Sequence, residues 1–77
     1  MAGKKAFKLE VFTRRFQQLS KEAKVTQVQL AKKTGMTQTS ISRHLNGEYP
    51  HLRAVCSIAQ SFGVSTDWLL GLKDKRR

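Results

Sequence analysis

A single all-α domain of five short helices is what this sequence predicts, and two observations carry that reading. Apolar residues recur at spacings of three and four along most of the chain, the period that gathers side chains on one stripe of a helix. Between those runs, hydroxyl residues stand where several helices would start and glycines where they would stop. No strand is expected. With 77 residues there is room for one domain. A chain this short hides only about 60% of the surface its unfolded form exposes. Nearly every large apolar residue should therefore be in use, among them Phe7, Phe12, Phe16, Leu30, Ile41, Leu52, Ile58, Phe62 and Trp68. The basic ends, residues 1–8 and 73–77, read as flexible arms flanking a domain at residues 9–72.

The first helix starts at Leu9, with Phe12, Phe16, Leu19 and Ala23 on its apolar stripe and Thr13, Arg14, Gln17 and Gln18 on the other side. Thr26 precedes Gln29 by three residues, a capping box in which each side chain satisfies a backbone N–H left unpaired at a helix start. That second helix should run to Thr34 and end at Gly35, which enters the left-handed region without a Cβ clash. Thr37 then caps a third helix from Gln38 to Leu45, with Ile41 and either His44 or Leu45 turned inward. Asn46-Gly47 ends it, a pair that tolerates positive φ. Tyr49-Pro50 forms an extended connection, because proline disfavours helical geometry in the residue before it. Leu52, Val55, Cys56, Ala59 and Phe62 make a fourth helix closed by Gly63. Ser65 caps a short fifth, with Asp67 near its positive end and Trp68, Leu69 and Leu72 as its apolar side.

Fifteen Lys and Arg against five Asp and Glu give a formal net charge of +10, a field that attracts polyanions. Nucleic acid is the partner this implies. A membrane surface would also answer the charge, yet no stretch reaches the ~18 apolar residues of a spanning helix. One cysteine, Cys56, rules out an internal disulfide and reads as a small core residue. The lysines at Lys4, Lys5 and Lys8 precede no continuous apolar run, so no secretory signal is expected and the cytoplasm is the expected compartment. Catalysis is not expected either: no paired carboxylates, phosphate-binding glycine loop or nucleophile with a base can be found. His44 has no His or Cys at ligand spacing, so neither a metal nor a small-molecule cofactor is anticipated.

The second and third helices are joined by only Gly35, Met36 and Thr37, the tight turn that sets one helix across another. The outward face of the third helix carries Gln38, Thr39, Ser42 and Arg43, all hydrogen-bonding side chains with no acidic member. These types suit base edges. Gln can bond adenine N6 and N7, Arg can bond guanine O6 and N7, and the Thr39 methyl can pack on a thymine methyl.

Together, Thr26-Gln27, Leu30-Ala31, Thr37-Gln38-Thr39-Ser40-Ile41-Ser42, Asn46-Gly47 and the run from Phe62 to Gly71 resemble the lambda-type phage repressor and Cro helix-turn-helix proteins. The resemblance spans residues 12–71. It implies a five-helix lambda-repressor-like DNA-binding domain in which Gln38, Thr39, Ser42 and Arg43 read bases while Gln27, Thr37 and Asn46 meet phosphates. Asn46 could instead serve only the turn. The partner implied is a double-stranded DNA operator, bound as a homodimer through the last helix, Trp68 and Leu69 being either core or interface. Some members of the fold act instead as antitoxins or accessory interaction modules.

The chain departs from the family at several positions. Many members pair an Arg at the position of Ser20 with a Glu at the position of Leu45. Both are missing here, which is close to neutral where loss of one alone would strand a charge. Ser20 and Leu45 are therefore expected to be neighbours. His44 replaces an apolar or aromatic residue, and His51 stands where a serine usually caps the fourth helix.

Overall fold

The computed structural model describes residues 7–77, so most of the proposed N-terminal arm, residues 1–6, lies outside the described residues. Five helices follow in order: α1 Leu9–Ala23, α2 Gln27–Thr34, α3 Gln38–Leu45, α4 Leu52–Phe62 and α5 Thr66–Leu69. No strand occurs among the described residues. Four of the five starts are capped by a side chain, α1 at Lys8 being the one that is not. Thr26, Thr37 and Ser65 accept backbone N–H groups of the first turn, and the reciprocal Gln29 arm of the capping box is in place. His51 caps α4 through Nδ1, which accepts the Ala54 N–H at 3.3 Å. It thus does with a ring nitrogen what a hydroxyl does elsewhere.

Phe12, Phe16 and Leu19 of α1 meet Leu30, Ile41, Val55, Ile58, Ala59, Trp68 and Leu69 in one core. Met36, in the turn between α2 and α3, packs against the same core and so ties the turn down. Trp68 and Leu69 are core residues of the monomer, 5% and 0% exposed. Of the two readings open for them, core or interface, the monomer's own packing answers for core.

Some expectations are corrected. Leu52 is 78% exposed and Cys56 is exposed. At 100° per residue these two lie on the flank of the α4 stripe, while Ala54, passed over in the sequence because of its size, is fully buried. Phe7 and Ala23 are also exposed, lying just before and at the end of α1. Leu72 lies beyond α5, partly buried. The first helix closes without a glycine, on Lys24 at φ 55°, a left-handed residue that nothing in the sequence flagged.

The tail at residues 73–77 folds back, contrary to the expectation of a free arm. Arg76 makes a two-pronged contact to Glu22, at 2.9 and 2.7 Å, and its guanidinium lies 5.0 Å from the centre of the Trp68 ring. Its carbonyl accepts the Ser65 N–H, while Arg15 donates to the carbonyls of Trp68 and Lys73 and stacks on Trp68. A ring that faces two guanidiniums draws the basic tail inward, because the negative ring face attracts cations.

The hydrogen bonds from Arg76, then from Gln18, hold the Glu22 carboxyl below the usual glutamate range. A lowered folded-state value adds stability that is present above the unfolded value, about 4.3, and is lost as pH falls through the folded one. Glu22→Gln should therefore lower stability slightly near neutral pH and leave it unchanged at low pH, which flattens the acid side of a stability-versus-pH curve, measured by thermal melts from neutral to about pH 2. A steep acid limb kept in the variant would place the transition on other carboxylates.

Candidate nucleic-acid interface

Between α2 and α3 the chain turns within three residues. Gly35 takes φ 75° and donates its N–H to the Ala31 carbonyl at 2.9 Å, closing α2. The Thr34 hydroxyl donates to the Leu30 carbonyl and accepts from the Met36 N–H. Thr37 then opens α3, its hydroxyl oxygen accepting the Ser40 N–H at 3.1 Å. These bonds close α2, hold the Met36 N–H and open α3, so the turn is fixed at both of its ends.

The angle between the two helices is set by what α3 buries. Ile41 and His44, 0% and 2% exposed, face the core. The His44 ring stands edge-on to Phe12 at 6.2 Å, an interplanar angle of 88°, which couples α3 to α1. The question whether His44 or Leu45 points inward is answered in favour of His44, with Leu45 only partly buried. Below it, Gln17 of α1 donates its side-chain amide to the Leu45 carbonyl at 2.7 Å and so satisfies one of the last carbonyls of α3. Ser20 instead turns its hydroxyl onto its own helix, donating to the Phe16 carbonyl at 2.9 Å.

With Ile41 and His44 turned in, Gln38, Thr39 and Arg43 are exposed and Ser42 is half-buried, all on the solvent side of α3. The four residues expected to share a face do share it. Gln27 and Thr37 stand exposed at the starts of α2 and α3, where the first backbone N–H groups of a helix have no partner within it. The Thr37 hydroxyl also donates to Ser40 Oγ, so an anion at this end would meet backbone N–H groups rather than that hydroxyl.

Asn46 differs from one of its two readings. It sits at φ −100°, and Gly47 at φ 101° takes the left-handed turn in its place. Its side-chain amide nitrogen donates to the Ser42 carbonyl at 2.8 Å and, more weakly, to Ser42 Oγ at 3.4 Å, while the residue itself stays exposed.

Sequence reasoning missed two residues at this site, Gln17 and Glu48. Glu48 brings a carboxylate to the edge of a face read as free of acids: its Oε1 lies 4.0 Å from Arg43 Nε. Its signal was available, since it is the single acidic residue between Glu22 and Asp67 and falls five positions after Arg43.

Neither histidine joins a cluster of metal-binding side chains, and no group of three such residues occurs among the described residues. No helix of the described residues is long and apolar enough to cross a membrane.

A family model described as helix-turn-helix matches residues 17–69, most of the chain and all of α2, α3 and α4. The chain belongs to the helix-turn-helix family. Its all-α, lambda-repressor-like architecture and the exposed polar face of α3 accord with that membership. It is a DNA-binding helix-turn-helix regulator, and its partner is double-stranded DNA.

Proposed function

We propose that this helix-turn-helix protein is a repressor or Cro-like regulator that reads operator half-sites in the major groove through Gln38, Thr39, Ser42 and Arg43. One observation carries the reading. These four side chains share the outer face of an eight-residue helix whose inner face is locked by Ile41 and His44, so they move with the core and not independently of it. Gln27, the start of α3 at Thr37 and the exposed side chain of Asn46 supply contacts to phosphate, which position the helix without carrying sequence information. The protein binds as a homodimer to a two-fold operator with half-sites about 34 Å apart.

Selection of bound duplexes from a random pool would define the operator, and titrations would then separate the roles. Arg43→Ala is expected to relax preference at one base pair by about 1–3 kcal/mol. Gln27→Ala should weaken every duplex alike. A uniform loss for Arg43→Ala would remove that residue from base reading, and selected duplexes carrying a single site without two-fold symmetry would remove the two-fold operator.

A further inference from the structure

The neighbourhood of Arg43 goes beyond the assignment of a base-reading arginine. Arg43 is long and exposed, and a guanidinium of that reach can bond phosphate as readily as guanine. Phosphate contacts carry no sequence information, so something must bias the side chain if it is to read a base. Glu48 Oε1 lies 4.0 Å from Arg43 Nε, the nitrogen on the stem side of the guanidinium. The side chains are 63% and 50% exposed. An exposed pair at that distance adds next to nothing to stability, so stability is no reason for its placement.

Glu48 itself is not free to wander. Its backbone N–H donates to the Arg43 carbonyl at 3.0 Å, and its own carbonyl lies 3.4 Å from Nδ1 of the buried His44. A carbonyl only accepts, so the ring nitrogen is the donor. The loop after α3 is thus pinned to the core by the histidine that faces Phe12, and that pin fixes where the carboxylate starts.

The geometry points to Glu48 as the positioning residue for Arg43: it holds the Nε side of the guanidinium, leaves the two terminal nitrogens forward for guanine O6 and N7, and repels phosphate from the same spot. A residue that acts so lowers affinity for random DNA and raises discrimination. This rests on Arg43 reading a base, as proposed above.

The test measures binding of Glu48→Gln, Glu48→Ala, Arg43→Ala and the double variant Glu48→Ala/Arg43→Ala to the selected operator. Further probes are operators altered at single base pairs and a random-sequence duplex, all at one salt concentration. Both Glu48 variants are expected to bind the random duplex more tightly. They should also lose about five- to tenfold of the discrimination at the base pair that Arg43→Ala relaxes, part of what a bidentate contact provides. In the Arg43→Ala background, Glu48→Ala should change that discrimination no further. Unchanged discrimination in the Glu48 variants, with Arg43→Ala still relaxing one base pair, overturns the positioning role alone. Lost discrimination at a different base pair, independent of Arg43, overturns it in favour of Glu48 accepting from a base directly. If Arg43→Ala relaxes no base pair, the reading beneath this one fails first. Thermal melts of the four proteins, expected to coincide closely, exclude a folding defect as the cause.

Discussion

Phe12→Ala is expected to destabilise the domain by about 3–5 kcal/mol, the range for emptying a buried phenylalanine site. Phe12 is fully buried, lies 6.0 Å from Phe16 between ring centres and faces the edge of His44 at 6.2 Å. Its removal takes away the aromatic contact of α1 with the helix that presents the polar face, and leaves the Gln17 hydrogen bond to the Leu45 carbonyl. At about 0.05–0.15 kcal/mol per residue, a chain of 77 residues has roughly 4–12 kcal/mol in total. The variant should therefore lose at least about a quarter of the total, and all of it at the low end of that range. Urea titration followed by circular dichroism checks this, and a loss below about 1.5 kcal/mol would mean that the site collapses around the gap. DNA binding should fall by the fraction unfolded and recover in osmolyte, since no DNA-facing group has been removed.

That the architecture could be read before any coordinates reflects how local its causes are. Thr26 with Gln29, Gly35, Thr37 and Gly63 each act within four residues of themselves, and each stands in the structure at the helix end assigned to it. The outer face of α3 follows from the same logic, with Ile41 on the inner side.

What the pattern hid was set by contacts distant along the chain. Leu52 fits the period of α4 but falls beyond the edge of its stripe, and periodicity of three and four does not say where the stripe is centred. Lys24 closes α1 in a conformation usual for glycine, so its sequence carries no mark. The C-terminal residues look like a solvated basic run, and only the meeting of Trp68, Arg15 and Glu22 in space reveals where Arg76 goes. Glu48 was overlooked because the face of α3 was judged by helix positions alone, whereas the carboxylate arrives from the loop that follows.

A last result separates base reading from attraction of charge. The double variant Gln38→Ala/Arg43→Ala should lose about 2–6 kcal/mol of preference for the operator over random DNA, taking about 1–3 kcal/mol for each bidentate contact and treating the two as additive. The residues lie five positions apart on α3 and share no recorded partner, which is the condition for adding them. Binding to random duplex should persist, because counterion release depends on the many remaining cations and not on Gln38. Removing Arg43 takes away one positive charge of the fifteen. If that charge also met phosphate, the slope of log K against log salt on random DNA would fall by about 0.9, and no further. The measurement is a pair of salt titrations, operator and random, for wild type and variant. Curves that drop together, by the same factor on both duplexes, would mean that α3 lies along the phosphate backbone and that the polar face is not read against the bases. Curves that converge, the operator falling to the level of random DNA, would place the specificity of the protein on those two side chains.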